Sequence, residues 1–166
     1  MKNIFLPFLA LFGGFCAADE LYVAVNDPNA ADTPEAGRGT VALPYRTIQA
    51  AVDAAPSGGT VLVRPGVYNE GSQASPVSAS DRPSRLLIEK PVTIRSTEGA
   101  SVTEIRGQHA EADNHLGSGA IRCVLVTADG AGSVVEGFTI ANGATYSGGD
   151  SAGDARGGGI RSLAEC

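Results

Sequence analysis

The spacing of apolar positions is helical in one short stretch and strand-like almost everywhere else. Ile48, Ala51, Val52 and Ala55 recur at intervals of 3, 4 and 7, one apolar face of a helix. Thr47 stands ahead of them as a natural N-cap, and Pro56 followed by Ser57-Gly58-Gly59 ends the run. Thr60-Val61-Leu62-Val63 is then a β-branched strand closed by a turn at Arg64-Pro65-Gly66. Before the helix, Leu21 to Val25 alternates and predicts an opening strand, followed by a polar, proline-bearing loop from Asn26 to Gly39. After a second loop, Gly71 to Arg85, short apolar runs follow: Leu86–Ile88, Val92–Arg95, Val102–Ile105, Cys123–Val126, Val134–Val135 and Phe138–Ile140. Gly, Pro, Ser or Asp separates them. Many short strands with no long amphipathic helix mean a sandwich, a barrel or a solenoid.

Internal similarity favours the solenoid. Ile88-Glu89-Lys90-Pro91-Val92-Thr93-Ile94-Arg95-Ser96 echoes Val134-Val135-Glu136-Gly137-Phe138-Thr139-Ile140-Ala141-Asn142, with the Thr-Ile pairs 46 residues apart. That interval divides into two coils of about 23, inside the range of stacked repeat units. An insertion from Gln108 to Gly119 blurs the period, and a β-sandwich is the rival. Stacked coils need their ends capped. The Thr47–Ala55 helix can lay Ile48, Val52 and Ala55 over the first coil, whereas Gly157-Gly158-Gly159-Ile160 reads as the start of another. The chain is therefore expected to be the front part of a longer stack. Gly66 and Asn142, each directly after a short strand, are expected at coil corners with left-handed backbone.

The segment Tyr45-Arg46-Thr47-Ile48-Gln49-Ala50-Ala51-Val52, with Gly59-Thr60-Val61-Leu62-Val63-Arg64-Pro65-Gly66-Val67-Tyr68 and Glu70, resembles the opening of the right-handed parallel β-helix, or pectin-lyase-like, superfamily. The resemblance implies an all-β solenoid: a right-handed parallel β-helix with a short N-terminal capping α-helix. It divides the chain into a leader (1–18), an opening strand and polar loop (19–43), and a cap with first coils (44–166). Pectinesterases are similar from Thr47 to Ile140 but carry their catalytic aspartates in later coils, and no motif of the calcium-dependent pectate lyases is present, so no catalytic residue carries over. Gly157-Gly158-Gly159-Ile160 is similar to the repeat coils of bacterial surface β-helix proteins.

Composition and charge narrow the function. Met1-Lys2-Asn3 before an apolar run from Ile4 to Phe15, with small residues at Ala17 and Ala18, is a secretory leader. That run is too short to span a bilayer, which takes roughly 20 residues. Without residues 1–18 the chain keeps eleven basic and eighteen acidic side chains, a net of −7. Nucleic acid is thereby excluded as an expected partner. The slightly basic middle (Arg82, Arg85, Lys90, Arg95, Arg106) is most simply a solvated face. The 22 glycines suit turn-dense β architecture. An oxidising compartment permits a bridge between Cys123 and Cys166, with two separate thiols as the plainer reading.

Candidate chemistry is sparse. Asp150, Asp154 and Arg156 form a late acid-plus-arginine grouping, the weak candidates for a catalytic site, in a stretch whose composition reads as loop. His109, Glu111, Asp113 and His115 contain metal-ligand types without a known zinc spacing, and again read as loop. Asp27, Asn29, Asp32 and Glu35 raise calcium, although their spacing matches no EF-hand and such residues are ordinary in turns. No cofactor is expected, and calcium is the one ion considered. The expected function is an exported, non-catalytic β-helix module of the cell surface or surroundings that binds a polysaccharide or a surface protein. The alternative is the N-terminal part of a pectinesterase- or polysaccharide-lyase-type enzyme with its active coils beyond residue 166.

Overall fold

The computed structural model describes residues 20–76, 82–111, 119–145 and 158–163. Among these residues ten short strands run β1 (Glu20–Val23), β2 (Thr60–Val63), β3 (Gly66–Tyr68), β4 (Ser84–Ile88), β5 (Thr93–Ser96), β6 (Thr103–Arg106), β7 (Arg122–Val126), β8 (Val134–Glu136), β9 (Thr139–Ala141) and β10 (Ile160–Ser162). One α-helix, α1 (Ile48–Ala54), lies between β1 and β2, and a 3₁₀ turn spans Ala128–Gly130. Every pairing between strands is parallel. The strands form three sheets ordered β1-β2-β5-β8, β3-β6-β9 and β4-β7-β10, here called A, B and C. Successive coils are therefore β2-β3-β4, β5-β6-β7 and β8-β9-β10, a parallel β-solenoid of about three turns.

Strand alternation sends one set of side chains inward, and parallel stacking lines them into ladders. Leu21, Val61, Ile94 and Val135 are successive partners in sheet A. Tyr68, Ile105 and Ile140 do the same in sheet B, and Leu86, Val124 and Ile160 in sheet C. Val61, Ile94, Ile105 and Val124 are wholly buried in one continuous core. No coil could bury these residues without its neighbours, so the stack is the unit of stability.

The strand registers correct the expected period. Thr60 pairs with Thr93, 33 positions on, and Thr93 with Val134, 41 positions on. Glu104 pairs with Thr139, an offset of 35, and Val124 with Ile160, an offset of 36. Coils are thus 33–41 residues at these positions, not about 23. The Thr-Ile echo misled because Ile94 stacks under Val135 in sheet A while Ile140 stacks under Ile105 in sheet B. A polar residue before an inward β-branched one recurs in both sheets, as at Thr93-Ile94 in sheet A and Thr139-Ile140 in sheet B, so the match carries no register. The structure also makes a strand of Gly66–Tyr68, where only a turn was expected, because Tyr68 reaches the core.

The helix closes one end of the stack as expected, with Ile48, Ala51, Val52 and Ala55 buried in the core. The Thr47 hydroxyl accepts from the Ala50 N–H at 3.3 Å. Asp32 adds a support from the polar loop: its Oδ1 accepts from the N–H groups of Arg46 (3.0 Å) and Thr47 (2.9 Å). Asn142 follows β9 with φ 54°, the left-handed corner that its sequence position suggested. Gly66 opens β3 where the chain bends, and a Cβ there would run into Val25 Cγ1. Among the described residues no helix is long and apolar enough to cross a membrane.

Candidate binding groove at the long corner

The three corners of the coils are unequal. Connections from sheet A to sheet B take two or six residues, and those from C to A take four or seven. Connections from B to C span 69–83, 107–121 and 142–159, which is 15, 15 and 18 residues. All the long excursions therefore leave the frame along one edge. Two are pinched at the base by backbone pairs, Gln73 with Ser84 (2.7 and 2.9 Å) and Gln108 with Ile121 (2.9 Å both ways). The third is tied to the second, since Ala144 N–H donates to Ile121 O at 3.3 Å. A Cβ on Gly107 would meet Ile121 O and Gly143 Cα, so the bases pack backbone to backbone.

Beside this edge, α1 and the first excursion enclose an open groove of about 270 Å³. Its helix side offers Thr47, Gln49, Ala50 and Asp53, and its loop side Glu70, Gly71, Ser72 and Gln73, with Asp32 and Arg85 completing the lining. Gln49 is buried and fixed by three bonds. Its Oε1 accepts from Leu87 N–H at 2.8 Å, and its Nε2 donates to Leu87 O at 3.1 Å and to Asp53 Oδ1 at 2.7 Å. A side-chain amide thus imitates a neighbouring strand for β4, the edge of sheet C, whose open edge groups would otherwise be unpaired.

Arg85 joins the groove to the frame. Its Nε donates to Arg106 O at 2.9 Å and its Nη1 to Gly71 O. Burial lowers its pKa, against a smaller upward pull from Cys123. Guanidinium basicity is high enough that the group stays charged. Asp53 and Glu70 are exposed on the rim. With Asp32 they set three carboxylates against the one guanidinium of Arg85 in the groove.

A narrow slot opens off the groove, sharing Thr47, Gln49, Glu70 and Arg85 with it. Its walls are Val25, Ile48, Tyr68, Leu86 and Ile105, with Arg46 and Asn69 also lining it, and its volume is about 20 Å³. That is room for one water-sized or methyl-sized group. Tyr68 is locked in place, its hydroxyl donating to Arg64 O at 2.7 Å.

Of the residues singled out from sequence as candidate site or metal ligands, only Asp32 lines the groove. Asp150, Asp154 and Arg156 lie outside the described residues, as do Asp113, His115 and Cys166. His109 and Glu111 are exposed in the second excursion and do not line the groove. The loop carboxylates considered for calcium turn to separate partners. Asp27 takes Asn29 N–H at 2.9 Å and Arg64 Nη1 at 3.3 Å, Asp32 supports the helix start, and Glu35 pairs with Arg38. Among the described residues no group of three or more His, Cys, Asp or Glu is placed to hold a metal. Cys123 is a buried free thiol donating to Ala141 O at 3.1 Å, and burial pushes its pKa up. Gln49, Asp53, Glu70, Gln73 and Arg85 were missed as site residues. Gln49 and Glu70 carried a signal as parts of the opening motif, and Arg85 as one of the basic middle residues.

No family model matches the chain, and neither the curated proteins nor the solved structures hold a match. The class defined by the structure itself is a helix-capped parallel β-solenoid with its long connections gathered at one corner.

Proposed function

We propose that this chain is an exported, non-catalytic β-helix module of the pectin-lyase-like kind that binds glycan through the groove beside its capping helix. The observation that carries the reading is the coincidence of the groove with the long corner. In stacked repeats, insertions gathered on one face commonly build the binding surface. The lining suits hydroxyl-rich ligands: amides at Gln49 and Gln73, hydroxyls at Thr47 and Ser72, carboxylates at Asp53 and Glu70, and one guanidinium. The leader pattern of residues 1–18 supports the export part of this reading, with the module acting in the cell envelope or beyond it.

The test is a binding screen of the purified chain against neutral and acidic polysaccharides, with wild type compared to Asp53→Asn/Glu70→Gln. Neutral glycan is expected to be retained and the double variant to lose at least tenfold in affinity. Polyuronate is expected to bind weakly, because the net charge of −7 without the leader repels it. Methylated and demethylated pectin, with and without calcium, should yield neither methanol nor unsaturated ends. Either product above a heat-killed control overturns the non-catalytic reading in favour of an enzyme, and failure to retain any glycan overturns the ligand class.

A further inference from the structure

The slot beside the groove narrows the ligand class. Resting on the glycan reading above, we infer that the site selects a neutral sugar bearing an N-acetyl group, with the ring in the groove and the acetyl methyl in the slot. Three observations converge. The slot is the size of a methyl and its walls are apolar at Val25, Ile48, Tyr68, Leu86 and Ile105. Its mouth, shared with the groove, is polar and two-natured: Glu70 accepts hydrogen bonds, Arg85 donates them and Thr47 can do either. An acetamido group presents the matching set, a methyl flanked by one N–H donor and one C=O acceptor.

Charge selects against the alternatives. A uronic acid would bring a carboxylate to a groove where Asp32, Asp53 and Glu70 already outnumber Arg85. An unmodified hexose would leave the slot unfilled and forgo the burial of a methyl, a distinct loss in so small a ligand. At about 270 Å³ the groove lies just below the usual volumes of sites for drug-sized molecules, so one ring seats in it and flanking rings of an oligomer lie outside.

The experiment is calorimetric titration of the full chain with the trimers of N-acetylglucosamine, glucosamine and glucose. The acetylated trimer should bind at least tenfold more tightly than the glucose trimer. Two variants test the slot. Val25→Phe fills it from within, and Asn69→Phe covers it from an exposed position that does not enter the core. Either should lower the affinity of the acetylated trimer to within about twofold of that of the glucose trimer. Equal affinity for the two trimers in the wild type overturns the acetyl inference and leaves the glycan reading standing. Tighter binding of the glucosamine trimer overturns it too, showing that negative charge alone drives selection. Absence of binding to all three trimers, with other neutral glycans still retained, overturns the inference alone. If no glycan binds, both readings fall.

Discussion

Gln49→Leu isolates the contact that seals the capped end of the solenoid. Leucine keeps the bulk and helix propensity of the position but removes three hydrogen bonds. The two to Leu87 matter most, because they leave a backbone N–H and C=O of β4 without partners. Gln49 and Leu87 are each only 8% exposed, so water does not readily replace the lost amide. An unsatisfied buried polar group costs about 1–3 kcal/mol, and two of them, partly relieved by relaxation, give an expected loss of about 2–4 kcal/mol. In urea, with a slope of about 2 kcal/mol/M, the midpoint should fall by about 1–2 M. Hydrogen exchange gives the local readout: the Leu87 amide should exchange much faster, while Ile94 and Ile105 amides follow only the global change. A midpoint within about 0.2 M of wild type, with Leu87 still protected, would refute the reasoning.

Val52→Ala at a site 2% exposed should cost about 1–3 kcal/mol through lost burial under the cap, read by the same titration. A change of a few tenths would mean the helix does not cover the core. Asn142→Val should cost about 1–2 kcal/mol, because its φ of 54° is hostile to a branched side chain, whereas Asn142→Gly should be neutral or better in thermal melts. Burial, opposed more weakly by the Val25 N–H and by Arg64, pushes the Tyr68 phenol up to about 12. The folded state therefore holds this proton more tightly than the unfolded chain. Stability is full below the unfolded value near 10 and falls as pH climbs from there to about 12, by about 2–3 kcal/mol in all. Tyr68→Phe should remove that alkaline loss, checked by denaturant titration across the range.

The local parts of this architecture are written locally. Thr47, the Ile48–Ala55 periodicity and Pro56 specify the helix within ten residues, and the β-branched runs specify most strands the same way. Asn142 announced its corner because few other residues tolerate that backbone. Register is different: whether Ile94 meets Val135 or Ile140 depends on the lengths of excursions with no periodic content. The groove is harder still. Gln49 finds Leu87 at a separation of 38 positions, and Arg85 finds Arg106 at 21, with no spacing rule to betray either. The acidic groupings drew attention through proximity in sequence, whereas in the groove Asp32 leaves its grouping to stand with Asp53 and Glu70, carboxylates from three separate segments.

The unequal corners also bear on how such a molecule can change. Hydrogen-bonded coils rise by about 4.8 Å each, so the bases of the three long connections follow one another along the spine like the roots of a comb's teeth. Residues added to one tooth shift nothing in the ladders, because both of its ends stay pinned at the spine, as at Gln73–Ser84 and Gln108–Ile121. Residues added at the two-residue bends of the A-to-B corner would instead force the next strand out of register. Length variation is thus channelled to a single rim. Loop grafts of differing length at 74–83 or 109–120 should fold on an unchanged spine, whereas one residue inserted between Arg64 and Pro65 should not.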